Sequence, residues 1–351
     1  MPPFESARVL AALLSDPANR LPEDADERRR LMESAARQGL GPWLAGSLRP
    51  LLTGSDRAWC DEKLTRSWRQ YSRMLGAATE ILGILGSVGI LTLALKGPVL
   101  ALRRYAPPFL RRPSADLDIG VADRDLEAAC KALEGAGYVL RSTLQASRAI
   151  RHHAVLTHET LPEIELHYRL THGTLGTPIA ELLKDCIPFD LPGGATTMVL
   201  GPAEELLHLC LHSVDSRFAP WFHLFEFRRL WEAADPVVRE QCLARAVERH
   251  MVGALLMMDV ALRAIWQEGL IPDTAALPRT WLDFRINQDL LSEFEAWGVE
   301  SAALGGVGIG LKNRIHGRWL DVQLTDRPAD AWKQVAALFH LWREQRNLSS
   351  R

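Results

Sequence analysis

Six residues, Asp116-Leu117-Asp118-Ile119-Gly120-Val121, leave the chain little freedom, because polar and apolar side chains alternate there with a period of two. Such alternation belongs to a strand with one buried face, so Leu117, Ile119 and Val121 face a core while both aspartates project from the other side. Upstream, the apolar run from Ile90 to Leu95 lies between Gly89 and Gly97 and reads as a short buried strand that delivers Lys96-Gly97 at its end. Pro98 fits the first turn of a helix that continues over Val99 to Tyr105 and stops at Pro107-Pro108. Downstream, Asp123 to Gly137 reads as a helix with a glycine C-cap. Ala154 to Thr157 and Ile164 to Tyr168 then read as a hairpin that turns at Leu161-Pro162. Its apolar face carries Ile164, Leu166 and Tyr168, and Glu163, Glu165 and His167 share the opposite face.

Either side of this β-rich stretch the period is helical. Leu64, Trp68, Tyr71, Leu75, Ala78, Leu82 and Leu85 recur in steps of three and four, which predicts a helix that buries all of them on one face. Beyond Gly201-Pro202 the helical spacing returns, through Trp221–Ala234, Val237–His250 and Met251–Trp266 to a final helix after Asp326-Arg327-Pro328 that carries Trp332 and Trp342. The expected organisation is therefore a helical region over 1–87, a mixed α+β unit over 88–200 and a helical domain over 201–351. The tryptophans fall on apolar helical stripes and are expected to pack.

Composition narrows the function. The net charge of −2 provides no global field for long nucleic acid or anionic lipid. Five scattered cysteines without a Cys-x-x-Cys pair exclude a zinc ribbon and a disulfide framework, which fits a reducing cytoplasm. The N-terminus is too short and too charged for a secretory leader. The most apolar stretch, Met251–Trp266, is broken by Asp259 and Arg263 and falls short of the roughly 20 residues a spanning helix needs.

Asp116 and Asp118 would hold their carboxylates roughly 6–7 Å apart on one strand face, and the hairpin can bring Glu165 beside them. Three such groups repel, and they coexist either by taking up a proton or by sharing a hard divalent cation. A lysine or arginine inserted among them would remove that need. Magnesium suits a few carboxylates plus phosphate oxygens, which points to phosphoryl or nucleotidyl transfer. At the end of the preceding strand, Gly97 lets a phosphate approach the backbone and Lys96 offers it a point charge. Arg111 and Arg112 can grip phosphate oxygens, with Arg112 the stronger candidate and Arg111 as apt to pair with a nearby carboxylate.

Taken in order, Gly89-Ile90, Leu95-Lys96-Gly97, Tyr105, Arg112-Pro113-x-x-Asp116-Leu117-Asp118-Ile119 and Ile164-Glu165-Leu166-His167-Tyr168 resemble the uncharacterised nucleotidyltransferase family of the polymerase-β superfamily, over about residues 60–235. Lys96-Gly97 stands where the superfamily usually has a Gly-Ser turn. The resemblance implies a polymerase-β-like palm, a small mixed sheet with flanking helices. It further implies that Asp116 and Asp118 bind two Mg²⁺ ions and that Glu165 is the third carboxylate, completing a metal site or deprotonating the attacking group. Lys96, Gly97 and Arg112 would then contact the nucleoside triphosphate, with ATP the expected one. The reaction expected is transfer of a nucleoside monophosphate to a small-molecule, peptide or protein acceptor, with a protein partner on the helical faces also possible. A phosphoester hydrolase using the same metals, a silent nucleotide-binding or antitoxin-like scaffold, and a metal-free carboxylate-pair glycosidase are the alternatives.

Other polar residues carry weaker signals. His152, His153, His158, His167 and His172 crowd the hairpin, but strand alternation sends neighbours to opposite faces, so they are not read as a metal site. His167 is read as orienting or packing beside Glu165. His208 and His212 stand four apart on a helix without the carboxylate of a zinc motif and are read as core or surface residues. His212, Trp221 and Glu226 or Arg228 fall where the family's helical region often carries His…Trp…Asp.

Overall fold

The computed structural model describes residues 11–270 apart from residues 151, 171–176, 217, 219, 250, 267 and 268. The helix expected after Asp326 and the reading of His172 lie outside the described residues. After a single turn at Pro17–Arg20 the chain forms helices α1 (Ala25–Arg37), α2 (Gly41–Leu48) and the long α3 (Gly54–Ser87). The mixed region follows with β1 (Thr92–Ala94), α4 (Gly97–Arg104), β2 (Asp116–Val121), α5 (Leu126–Gly135), β3 (Val139–Leu140), α6 (Leu144–Ile150), β4 (His153–Thr157) and β5 (Glu163–His167). A short α7 (Ile179–Leu182) leads to the hairpin β6 (Ile187–Asp190) and β7 (Thr196–Val199), and helices α8 (Pro202–Asp215), α9 (Phe222–Ala233), α10 (Pro236–Glu248) and α11 (Val252–Trp266) complete the described chain.

The strands make one seven-stranded mixed sheet in the order β3-β4-β5-β2-β1-β7-β6. At its centre β2 runs parallel to β5 and antiparallel to β1, with Asp116 opposite Glu163, Asp118 opposite Glu165 and Gly120 opposite His167. One sheet face, with Leu117, Ile119, Ile164 and Leu166, buries against the second half of α3 and against α5. The other face packs in part on the C-terminal helices through Leu93, Leu95 and Ile179. A Cβ on Gly120 would approach the Ile179 side chain to 3.1 Å and Leu93 to 3.2 Å, so this end of β2 is closely packed, while Asp116 at its start is half-buried.

In α3 the buried stripe differs from the one the spacing predicts. Trp68 is 53% exposed, and its neighbour Ser67 turns inward instead, followed by Met74, Ala78, Ile81 and Leu85. Ser67 faces in because its hydroxyl donates to the Phe109 carbonyl at 2.6 Å, and the Gln70 amide donates to the Ser114 carbonyl at 3.3 Å. The first half of the helix thus packs on a polar loop, where an apolar count gives the wrong face. These bonds anchor the loop that carries Arg111 and Arg112. A third cluster joins α1, α2 and the start of α3 to Phe222 and Phe225 of α9. The Gln38 carbonyl accepts from the Phe222 amide at 3.1 Å and its side-chain oxygen accepts from the Trp221 amide at 3.2 Å. The N-terminal helices are thereby fixed to the start of α9. Among the described residues no helix is long and apolar enough to cross a membrane.

Candidate active site

Asp118 lies on the face of β2 opposite Leu117 and Ile119 and is 4% exposed. The parallel register sets Glu165 directly across from it. His167, two residues further along β5, has its Nε2 3.1 Å from Asp118 Oδ1 and 3.4 Å from Glu165 Oε2. Among the described residues, Asp118, Glu165 and His167 form one group whose donor atoms lie within 4.8 Å of one another; Asp116, on the same face, stands outside it. His167 thus joins Asp118 and Glu165 in a group that the sequence reading did not include.

Lys96 stands at the end of β1 as expected, and there it meets a carboxylate. It is the N-cap residue of α4 and ends the buried β1, and its Nζ lies 3.1 Å from Asp118 Oδ1 with the side chain 17% exposed. A bound cation is thus not the sole means of making the carboxylates tolerable, since Lys96 supplies one positive charge from within the chain. One charge does not neutralise the group. Burial and the charge of Asp118 raise the Asp116 pKa against the opposing effect of Lys96. Burial would also raise that of Asp118, but Lys96 and His167 outweigh it and hold Asp118 well below the usual carboxylate range. Glu165 is lowered as well, burial being overcome by His167 and His153. On the Lys96 and His167 side the same attractions overcome burial and raise both pKa values.

Asp118 Oδ1 is shared by a lysine and a histidine, while Asp118 Oδ2 is buried without a hydrogen-bond partner. A buried ionised oxygen without a partner is costly. With Glu165 across the strand pair and Asp116 beside it, that oxygen fits the all-oxygen donor set of a hard divalent cation.

The two arginines part company. Arg111 is 5% exposed and forms a two-pronged pair with Glu226 of α9, Nε to Oε1 at 2.6 Å and Nη2 to Oε2 at 2.8 Å. The Tyr105 hydroxyl donates to the same Oε1 at 2.8 Å. Arg112 makes no ion pair among the described residues. Its stem lies on Gly39, where a Cβ would come within 2.6 Å of Arg112 Cδ, and it is within electrostatic reach of Asp116. Gly97 has φ +70°, with Ser114 Oγ 3.3 Å from where a Cβ would lie. Only glycine adopts this conformation without strain, and it is the first residue of α4, directly after Lys96.

Sequence reasoning missed several contacts. Glu226 sits among Phe222, Phe225 and Phe227 and is the anchor for Arg111, a role legible only as a lone carboxylate in an apolar stretch. His152 and His153 both converge on His167, with ring centroids 5.0 Å from it in each case. Alternation failed there because His152 precedes the first residue of β4. His208, His212 and His223 form a second imidazole group on the helical side, with His212 and His223 centroids 4.6 Å apart. Burial pushes His208 down to about 3, and the charge of Lys96 adds to this.

A mixed sheet with two adjacent acidic strands, a lysine just past the preceding strand and helices packed on the same side describes a nucleotidyltransferase palm. The sequence matches the family described as uncharacterised nucleotidyltransferase over residues 24–263, more than half of the chain, and the protein belongs to that family. No curated protein matches it.

Proposed function

We propose that the protein transfers a nucleoside monophosphate from a nucleoside triphosphate, ATP by preference, to a small-molecule, peptide or protein acceptor in the presence of Mg²⁺. The observation that carries this reading is the unpartnered, buried Asp118 Oδ2 on a residue paired in register with Glu165 across the parallel strands. Asp116, Asp118 and Glu165 would hold the metal, which when bound neutralises phosphate charge and aligns the reacting oxygens. Lys96 and Arg112 would bring positive charge to the phosphates as negative charge builds up in the transition state. Gly97 and the start of α4 offer backbone N–H groups to the same anion. A bond forms between an acceptor oxygen and the α-phosphorus while the bond from that phosphorus to the bridging oxygen breaks, and pyrophosphate leaves with its electron pair. The acceptor's proton would pass to Glu165, the third carboxylate, acting as base on the attacking group. A net charge of −2 favours an acceptor other than long nucleic acid.

The Lys96–Asp118 pair favours a second reading, a silent scaffold whose own lysine stands where a metal would and which acts through its helical faces. The two separate in one assay. The full chain is incubated with a triphosphate labelled at the α-phosphate, Mg²⁺ and cell extract. Transfer requires label on an acceptor, its loss with a chelator, and its loss in Asp118→Asn. Absence of label in every arm supports the scaffold.

A further inference from the structure

We propose that His152, His153 and His167 form a second cation site, of imidazole donors, selective for Zn²⁺-class ions over Mg²⁺. The three offer ring nitrogens that all lie within 4.8 Å of one another. His153 Nδ1 and His152 Nε2 are 3.3 Å apart. Two nitrogens each about 2.0–2.1 Å from a tetrahedral zinc ion are separated by about 3.3–3.4 Å, so this pair already stands at the spacing of two ligands on one ion. His167 is 4% exposed, and its Nδ1 is buried without a hydrogen-bond partner. Glu165, whose Oε1 is 3.6 Å from His153 Nε2, is the nearest further donor.

Donor chemistry separates this site from the carboxylates. Imidazole suits Zn²⁺, Cu²⁺ and Ni²⁺, whereas Mg²⁺ demands oxygen and gives up its water reluctantly. The two sites share His167, whose Nε2 meets Asp118 and Glu165 while its Nδ1 has no hydrogen-bond partner. The inference rests on the histidine geometry and stands whether or not the chain transfers nucleotides.

The test is calorimetric titration of the metal-free full chain with Zn²⁺ in excess Mg²⁺, together with the visible spectrum of the Co²⁺-loaded protein. The expected result is one Zn²⁺ per chain that Mg²⁺ does not displace, and a Co²⁺ spectrum of low-coordinate nitrogen ligation. His152→Gln and His153→Gln should each weaken Zn²⁺ binding by more than about tenfold, because losing a ligand is at least as costly as losing an outer hydrogen-bond partner, about 10–100-fold. Asp118→Asn should keep the Zn²⁺. The proposal is overturned if the unaltered chain binds no Zn²⁺, if Mg²⁺ competes it away, or if Asp118→Asn removes it while His152→Gln retains it. Because the unaltered chain alone can refute the idea, a variant that fails to fold does not rescue it.

Discussion

Replacing Glu226 by leucine removes the acceptor of three hydrogen bonds, from Tyr105 Oη at 2.8 Å and from Arg111 Nε and Nη2 at 2.6 and 2.8 Å. Arg111 is 5% exposed, so its guanidinium cannot turn to water without opening the contact between α9 and the loop before β2. Breaking one side of a buried ion pair costs about 3–5 kcal/mol. At about 2–4 °C per kcal/mol for a domain of a few hundred residues, the melting temperature should fall by about 6–20 °C. Removing both charges is different in kind, since an apolar pair of similar volume is often neutral. Arg111→Met with Glu226→Leu should recover most of the loss, leaving the Tyr105 hydroxyl without an acceptor at about 1–3 kcal/mol. Adding Tyr105→Phe should recover part of that too. Urea unfolding of the single, double and triple variants reads these differences directly. A single variant that loses under about 1 kcal/mol, or a triple variant no more stable than the single, would refute the claim that the pair is desolvated and mutually dependent.

Three further outcomes follow from the geometry. Gly97→Ala places a side chain at φ +70° beside Ser114 and should cost about 1–2 kcal/mol, with weaker triphosphate binding read by calorimetry; unchanged stability would mean that the turn relaxes. His208, pushed down to about 3 by burial, stays neutral in the folded chain while the unfolded chain takes up a proton near pH 6.5, so its contribution is present above that pH and is lost as pH falls towards 3. His208→Leu should therefore lower the slope of stability against pH between about 4 and 6 by about one proton, and an unchanged slope in urea titrations would contradict the burial argument. Lys96→Ala removes the charge that holds Asp118 ionised, so the variant should lose most stability near neutral pH and the difference from the unaltered chain should shrink as acid protonates the carboxylates; a difference that does not change with pH would rule this out.

Much of the palm was legible in the sequence because its signals are local. Alternation in Asp116–Val121 set both the strand and the face of each aspartate, and the hairpin that holds Glu165 was marked by two short apolar runs and a Leu-Pro turn. The parallel pairing of β2 with β5, which sets Asp118 across from Glu165, is a long-range register that no window of sequence contains. The edge hairpin β6–β7 escaped for another reason: Ile187, Pro188 and Asp190 are exposed, so its strands carry little apolar alternation. In α3 the largest side chain misled, since Trp68 faces solvent and a serine bonded to a loop carbonyl takes the inward position. Lys96 was correctly singled out as a strand-ending charge, but whether its ammonium meets a ligand or a carboxylate depends on side-chain placement across two strands.

The most direct measurement is the electron paramagnetic resonance of Mn²⁺, in place of Mg²⁺, titrated into the full chain with a non-hydrolysable triphosphate. Saturable loss of the free-ion signal that requires the triphosphate, and that disappears when Asp116 and Asp118 are both changed to asparagine, is what facing carboxylates built for a hard cation predict. A free-ion signal undiminished by the unaltered chain, or diminished equally by the doubly substituted one, would contradict it.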